Sequence, residues 1–232
     1  MFFDSTFLLI IPALILSIYA QYKVNSAYKK YSAVRNAKGY TGADVARQLL
    51  MASRIDDVQV EPIQGNLTDH YDPKTKTLRL SEGVYNSPSI AAIGIAAHET
   101  GHAIQHNVGY GPLALRSGLV PMANLGSRLA IPLIIIGLLF ASGTGSFGMF
   151  LVNAGILLYT LAVAFTLITL PVEFNASGRA IELLSEYHFL TQDEIDPAKK
   201  VLSAAALTYV AAALTAVLTL LRFILIANGR RR

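Results

Sequence analysis

The chain has 232 residues, a net charge of +4, 53% hydrophobic residues and only 15% charged ones. That balance is apolar for a soluble protein, and the length suits one sizeable domain or a small domain with membrane spans. The absence of cysteine excludes disulfides and thiolate metal sites, so any metal must be held by His, Asp or Glu. Basic residues gather beside apolar segments, which marks membrane topology and argues against a nucleic-acid surface.

Residues 7–20 form an apolar run that Phe2 and Phe3 lengthen toward spanning size. Asp4 stands where a signal peptide would be basic, so the run is expected to be an uncleaved anchor. Lys23, Lys29, Lys30, Arg35 and Lys38 follow it. Thr41 is placed to cap a helix over residues 42–53, with Asp44 in the first turn and Val45, Leu49 and Ala52 along one face. Residues 58–63 alternate and predict a short strand. Residues 66–71 and 77–80 predict a hairpin whose turn opens at Asp72-Pro73. Its edge, at Asp69, His70 and Tyr71, either pairs with an extended substrate peptide or only packs.

Ser87-Pro88 predicts the start of a helix that runs to about His106. Residues 129–142 form a second apolar segment, short for a span unless residues 119–128 contribute. An uncharged turn at 143–146 and a full spanning run at 147–170 complete an expected membrane hairpin. Pro171 ends that span or restarts the helix. Residues 172–187 are amphipathic, 193–200 read as a polar connection, and 201–226 form the last apolar run before Arg230, Arg231 and Arg232.

The chemistry concentrates in the predicted helix that ends near His106. It carries His98, Glu99 and His102, a His-Glu-x-x-His pattern. Residues i and i+4 share a helix face, so both imidazoles can reach one metal ion. Glu99 follows the first histidine, where its carboxylate can accept a proton from a metal-activated water. This is the pattern of a metal-dependent peptide hydrolase. The bland alternative, a buried helix that happens to carry these residues, is disfavoured because Glu and His suit an apolar interior poorly unless paired or bound.

A hydrolytic zinc site usually takes a third protein ligand. His106 lies eight residues from His98, about 12 Å along the axis and out of reach of an ion between His98 and His102. His70 and His188 are possible, but a carboxylate on a second helix fits better. Glu173 leads because an acid directly after an apolar span is costly unless solvated or bound. A favourable first-turn position would also explain it. Glu182 and Glu186 are rivals whose spacing suits a solvated face.

The sequence resembles the YugP-type membrane zinc metallopeptidases, a bacterial family. The matching pieces are Tyr40-Thr41-Gly42-Ala43, Leu67-Thr68-Asp69-His70-Tyr71-Asp72-Pro73, Leu80-Ser81-Glu82, Ala97 through Gln105, and Pro171-Val172-Glu173-Phe174. Their order is also similar to that of gluzincin proteases of the HtpX and Ste24 type. The resemblance implies His98, His102 and Glu173 as zinc ligands and Glu99 as the base. In the HtpX and Ste24 type an aspartate four residues after the glutamate ligand orients a histidine. Here Ser177 occupies that place, with Asn175 nearby, and either is a candidate for the orienting role. Arg179, His188 and Tyr209 are candidates to stabilise an oxyanion.

The expected protein is a mainly α membrane protein. It has a zincin-like metalloprotease core, a small β-hairpin or sheet, and about four transmembrane or membrane-embedded helices. The expected divisions are an anchor at 1–22, the zincin-like domain at 23–128, and a membrane hairpin at 129–170. They continue with a ligand-bearing helix at 171–200 and a C-terminal membrane helix with a basic tail at 201–232. The expected function is zinc-dependent endopeptidase cleavage of membrane or membrane-proximal proteins. One Zn2+ per chain, a protein or peptide substrate and membrane lipid are the expected partners, without nucleic acid. The basic residues around the first span and the hairpin expect a multi-pass protein with its site on the cytoplasmic side, whereas a single crossing by 201–226 would leave Arg230, Arg231 and Arg232 outside. A non-catalytic membrane scaffold with structural zinc is the rival, and a transporter is a third reading.

Overall fold

The computed structural model describes residues 5–140 and 146–229. Phe2, Phe3, Asp4, positions 143–145 of the expected turn, and Arg230, Arg231 and Arg232 lie outside them. In chain order a 3-10 turn at Ser5–Leu9 leads to α1 (Ile11–Ser32), α2 (Gly42–Ala52), β1 (Gln59–Ile63), β2 (His70–Asp72), β3 (Thr77–Ser81) and α3 (Glu82–Tyr85). Then come α4 (Ile90–Asn107), α5 (Gly111–Phe140), α6 (Ser146–Glu186) and α7 (Gln192–Gly229). Among the described residues, four helices are long and apolar enough to cross a membrane. The fold is mainly α-helical with one small sheet, as the hydropathy pattern and the short alternating runs lead one to expect.

Two compact units emerge from the contacts. One comprises Met1–Tyr19, Leu115–Leu170 and Tyr209–Arg232; the other comprises Ala20–Ala114 and Pro171–Thr208. In the second unit, α2 begins as expected: Thr41 and Asp44 form a reciprocal capping box. Val45 and Leu49 are fully buried on its inner face. They pack with Ile93 and Ala97 of α4, Leu184 of α6 and Ala198 and Leu202 of α7 in one apolar cluster. The sheet has the order β1-β3-β2. β2 and β3 form the expected antiparallel hairpin, while β1 pairs with β3 in parallel. Leu78 and Leu80 of β3 are fully buried and pack with Ala92 and Ala96 of α4.

Several helix limits differ from the expectation. The cap of α4 is Ser89, whose Oγ accepts from Ala92 N, and not Ser87 with Pro88 as the first helical position. Pro88 instead presents its carbonyl to Asn36, which also holds Tyr40 O. Residues 129–140 of the segment expected at 129–142 are part of a 30-residue helix, Gly111–Phe140, that contains Pro121 and Pro132, and positions 141 and 142 lie outside the described residues. A hydropathy window stops at charged residues such as Arg128, whereas backbone hydrogen bonding does not. Pro171 does not restart the helix: α6 runs through it for 41 residues. The 193–200 stretch is not a connection but the start of α7, with Asp193 and Glu194 in its first turn and Thr191 N donating to Glu194 Oε2. Those acids favour a helix N-terminus, and polarity alone had made them look like a loop.

In the first unit α5 and α6 meet through small residues. A Cβ on Gly137 would stand 2.7 Å from Gly148 O, and one on Gly155 would stand 2.8 Å from Ala130 O. Such close backbone approach is the usual basis of helix pairing in lipid, where no hydrophobic drive distinguishes helix from acyl chain. Arg222, inside the last apolar run, reaches Thr6 Oγ1 at 3.3 Å and lies over the Phe7 ring. Replacing Gly137 by leucine is expected to force α5 and α6 apart and destabilise the protein by about 1–3 kcal/mol. A lower unfolding midpoint in detergent reports it. Gly118→Leu, whose Cβ meets nothing within 4 Å, should leave that midpoint unchanged.

Candidate metal centre

The site lies in the second unit, where α4 and α6 touch backbone to backbone. A Cβ at Gly101 would stand 2.7 Å from Ala176 O and 3.2 Å from Ala176 Cα. Glycine therefore permits a separation that any side chain would widen. On α6, Val172, Ala176, Ala180 and Leu184 recur every four residues and are fully buried, which turns one stripe of α6 inward. Glu173, beside the first member of that stripe, is 3% exposed.

The three groups converge. Glu173 Oε2 lies 3.3 Å from His98 Nε2 and 3.5 Å from His102 Nε2. The donor atoms of all three lie within 4.8 Å of one another. The imidazole rings stand edge to face with centroids 4.8 Å apart. Two donors on a tetrahedral zinc, each 2.0–2.1 Å away, are about 3.4 Å apart. The two carboxylate–imidazole distances fit that geometry.

The far side of each ring is held as well. Ser177 Oγ lies 3.0 Å from His98 Nδ1. Gln105 Oε1 lies 3.0 Å from His102 Nδ1. Gln105 is fully buried, and its Nε2 donates to Val172 O at 2.8 Å and to Asn175 Oδ1 at 2.9 Å. With the amide nitrogen committed to two acceptors, its oxygen faces the histidine as an acceptor. His102 then keeps its proton on Nδ1 and presents a lone pair on Nε2. Asn175 Oδ1 also accepts from Arg179 Nε at 2.8 Å, so one polar chain, buried at Gln105 and half-buried elsewhere, runs from the ring to Arg179.

Burial favours the neutral form of His102. The hydrogen bond and charge of Glu173, with the charge of Glu99, outweigh burial and raise its pKa. Two carboxylates next to two imidazoles thus make a locus that favours positive charge, whether proton or cation. Glu99 itself is 9% exposed and follows His98 directly on α4.

The other residues singled out from sequence lie elsewhere or serve the fold. His106 Nδ1 is 2.8 Å from Tyr71 Oη and is not part of the converging group. Burial, reinforced by Asp57 and Asp72, pushes the Tyr71 phenol up to about 12, so it remains a neutral hydroxyl. His70 Nδ1 lies 2.8 Å from Thr68 O. The Asp69 carboxylate accepts from Ser81 N and Oγ. His188 follows α6 and gives its carbonyl to Lys38 Nζ. Glu182 and Glu186 are exposed. Tyr209 belongs to the first unit. The sequence reading missed Gln105. Its signal was a lone amide three residues after His102, on a helix whose neighbouring positions 103 and 104 are apolar.

The donor set on α4 and α6 forms a group that could hold a metal ion. A family description, "Putative neutral zinc metallopeptidase", matches residues 6–228, and the chain belongs to that family. It is 50% identical over 223 residues to the "Putative membrane protease YugP" of Bacillus subtilis (strain 168), covering 96% of each chain. No solved structure matches. The family description implies zinc, and His98, His102 and Glu173 form a group able to hold it. The relative's name and the four apolar helices agree on a membrane protein.

Gln105→Leu keeps the packing volume and removes the acceptor at His102. It is expected to weaken zinc binding about 10–100-fold, as other changes behind a ligating histidine do. Ser177→Ala, behind His98, should weaken it in the same direction. Competition with a fluorescent chelator on purified protein measures both.

Proposed function

We propose that the chain is a zinc-dependent endopeptidase of membrane or membrane-proximal proteins, with one zinc per chain held by His98, His102 and Glu173. The carrying observation is the convergence of these donors at 3.3 and 3.5 Å. Zinc, when bound, would supply Lewis acidity toward the scissile carbonyl and lower the pKa of the attacking water. Glu99 takes the proton from that water and passes it to the leaving amine. Ser177 and Gln105 fix the two rings so that their Nε2 atoms face inward. Asn175 and Arg179 brace Gln105 from behind. β2 is the outer strand of the sheet, and its half-buried edge at His70 and Tyr71 is the candidate for pairing with an extended peptide.

Among the described residues the donor group has three members. This favours an open fourth position over a structural site closed by protein. Arg179, His188 and Tyr209 remain the candidates for oxyanion stabilisation, and Arg179 is the one tied to the polar chain behind His102.

Glu99→Gln is expected to retain zinc and lose about 10²–10⁴-fold in hydrolysis of unfolded casein. Glu173→Ala is expected to lose zinc, while Glu182→Ala and His106→Ala keep it. Zinc measured per chain, together with chelator-sensitive proteolysis, decides these assignments. A Glu99→Gln enzyme of near-normal activity would sink the mechanism.

The site is proposed to face the cytoplasm. Lys23, Lys29, Lys30, Arg35 and Lys38 closely follow the first span. Arg116 and Arg128 precede the hairpin, its turn at 143–146 is uncharged, and Arg179 follows the second arm. In intact cells an impermeant thiol reagent is expected to label Ser146→Cys and spare Lys38→Cys. The reverse pattern would place the site outside.

A further inference from the structure

We propose that a cavity between the charged ends of α1 and α7 binds the phosphate of an anionic phospholipid. The cavity has a volume of about 520 Å³, within the range of small-ligand sites. Lys23 and Lys30 of α1 and Lys199 and Lys200 of α7 line it, against one carboxylate, Asp196. Among the described residues, Lys199 and Lys200 make no ion pair. Converging like charges repel, and an anion between them relieves that repulsion. The Ser26 and Ser203 side chains also line the cavity, and their hydroxyls can donate to phosphate oxygens.

Its position selects a lipid over a free anion. Lys23 stands three residues beyond the apolar run that ends at Ala20, and Lys199 and Lys200 immediately precede the run that begins at Val201. Both helices change from apolar to charged at this level, which is where lipid phosphates lie. Ala204 and Leu207 extend the wall into the apolar run of α7, a surface suited to an acyl chain and useless to a soluble ion. Tyr31, 8% exposed, packs with Ala91 of α4 and Val201 behind the cavity. The cavity therefore has a fixed back wall, unlike a loose basic tail. None of this depends on the metal site.

The full chain, purified in a neutral detergent and loaded with zinc, is titrated with short-chain phosphatidylglycerol, phosphatidylcholine or inorganic phosphate. Circular dichroism follows the thermal midpoint. Phosphatidylglycerol is expected to raise it saturably by several degrees, and phosphatidylcholine is not. The double variant Lys199→Gln/Lys200→Gln is expected to need about 25-fold more phosphatidylglycerol for the same rise, about fivefold for each lysine removed. Lys74→Gln, in the sheet turn, should match the native protein. A helical circular dichroism spectrum and a cooperative melt matching the native protein without lipid show that the variants are folded. An equal response of the double variant, or an equal response to phosphatidylcholine, overturns the proposal. A matching rise with inorganic phosphate at the same concentration overturns it in favour of a free-anion site.

Discussion

The candidate site depends on one backbone contact, that of Gly101 on α4 against Ala176 on α6. With the helices this close, the carboxylate of Glu173 reaches two imidazoles that α4 has already placed one turn apart. Gln105 adds a second tie at the same crossing, because its amide bonds Val172 O while its oxygen meets His102. Any larger residue at 101 would push the helices apart, and a ligand set works only within about 0.5 Å of its productive geometry. The buried stripe on α6 supplies the adhesion, and glycine sets the distance.

The histidine supports are electrically neutral. A serine hydroxyl stands behind His98 and a carboxamide behind His102, where the HtpX and Ste24 pattern places an aspartate behind one histidine. Neutral acceptors fix a ring's tautomer and orientation without adding negative charge. The anionic groups close to the rings are then Glu173 and Glu99, one facing both Nε2 atoms and one adjacent in sequence. A third carboxylate would raise ligand basicity, and it would also make protons stronger competitors for the imidazoles. Amide and hydroxyl partners moderate that competition.

Local chemistry in the sequence carried much of this arrangement. The histidine spacing, the Thr41 cap with Asp44 in its first turn and the Asp72-Pro73 turn each act within a few residues, so each was readable. Glu173 stood out because an acid at the end of an apolar run needs a reason to be there. The limits of α5, α6 and α7 were not readable, because hydropathy reports apolar length while helices extend wherever backbone bonds continue. Pro171 was ambiguous for the same reason: one missing N–H does not end a helix whose flanks are packed. Parallel pairing of β1 with β3 and the role of Gln105 were hidden because both depend on partners distant in sequence. The asparagine and carbonyl that orient Gln105 lie on α6, about seventy residues away.

The metal motif is conventionally written with two wildcards between glutamate and the second histidine. In this chain those wildcards are Thr100 and Gly101, and neither is free. Thr100 is fully buried, with its hydroxyl turned back to Ala96 O at 2.8 Å, and Gly101 is where the neighbouring backbone passes. The four-residue spacing encodes chemistry, while the letters inside it encode an interhelical distance. A pattern search that requires a small residue before the second histidine would therefore select for architecture as well as for ligands. It would separate chains able to receive a glutamate from a helix pressed against the motif from chains that hold the same histidines in a roomier fold.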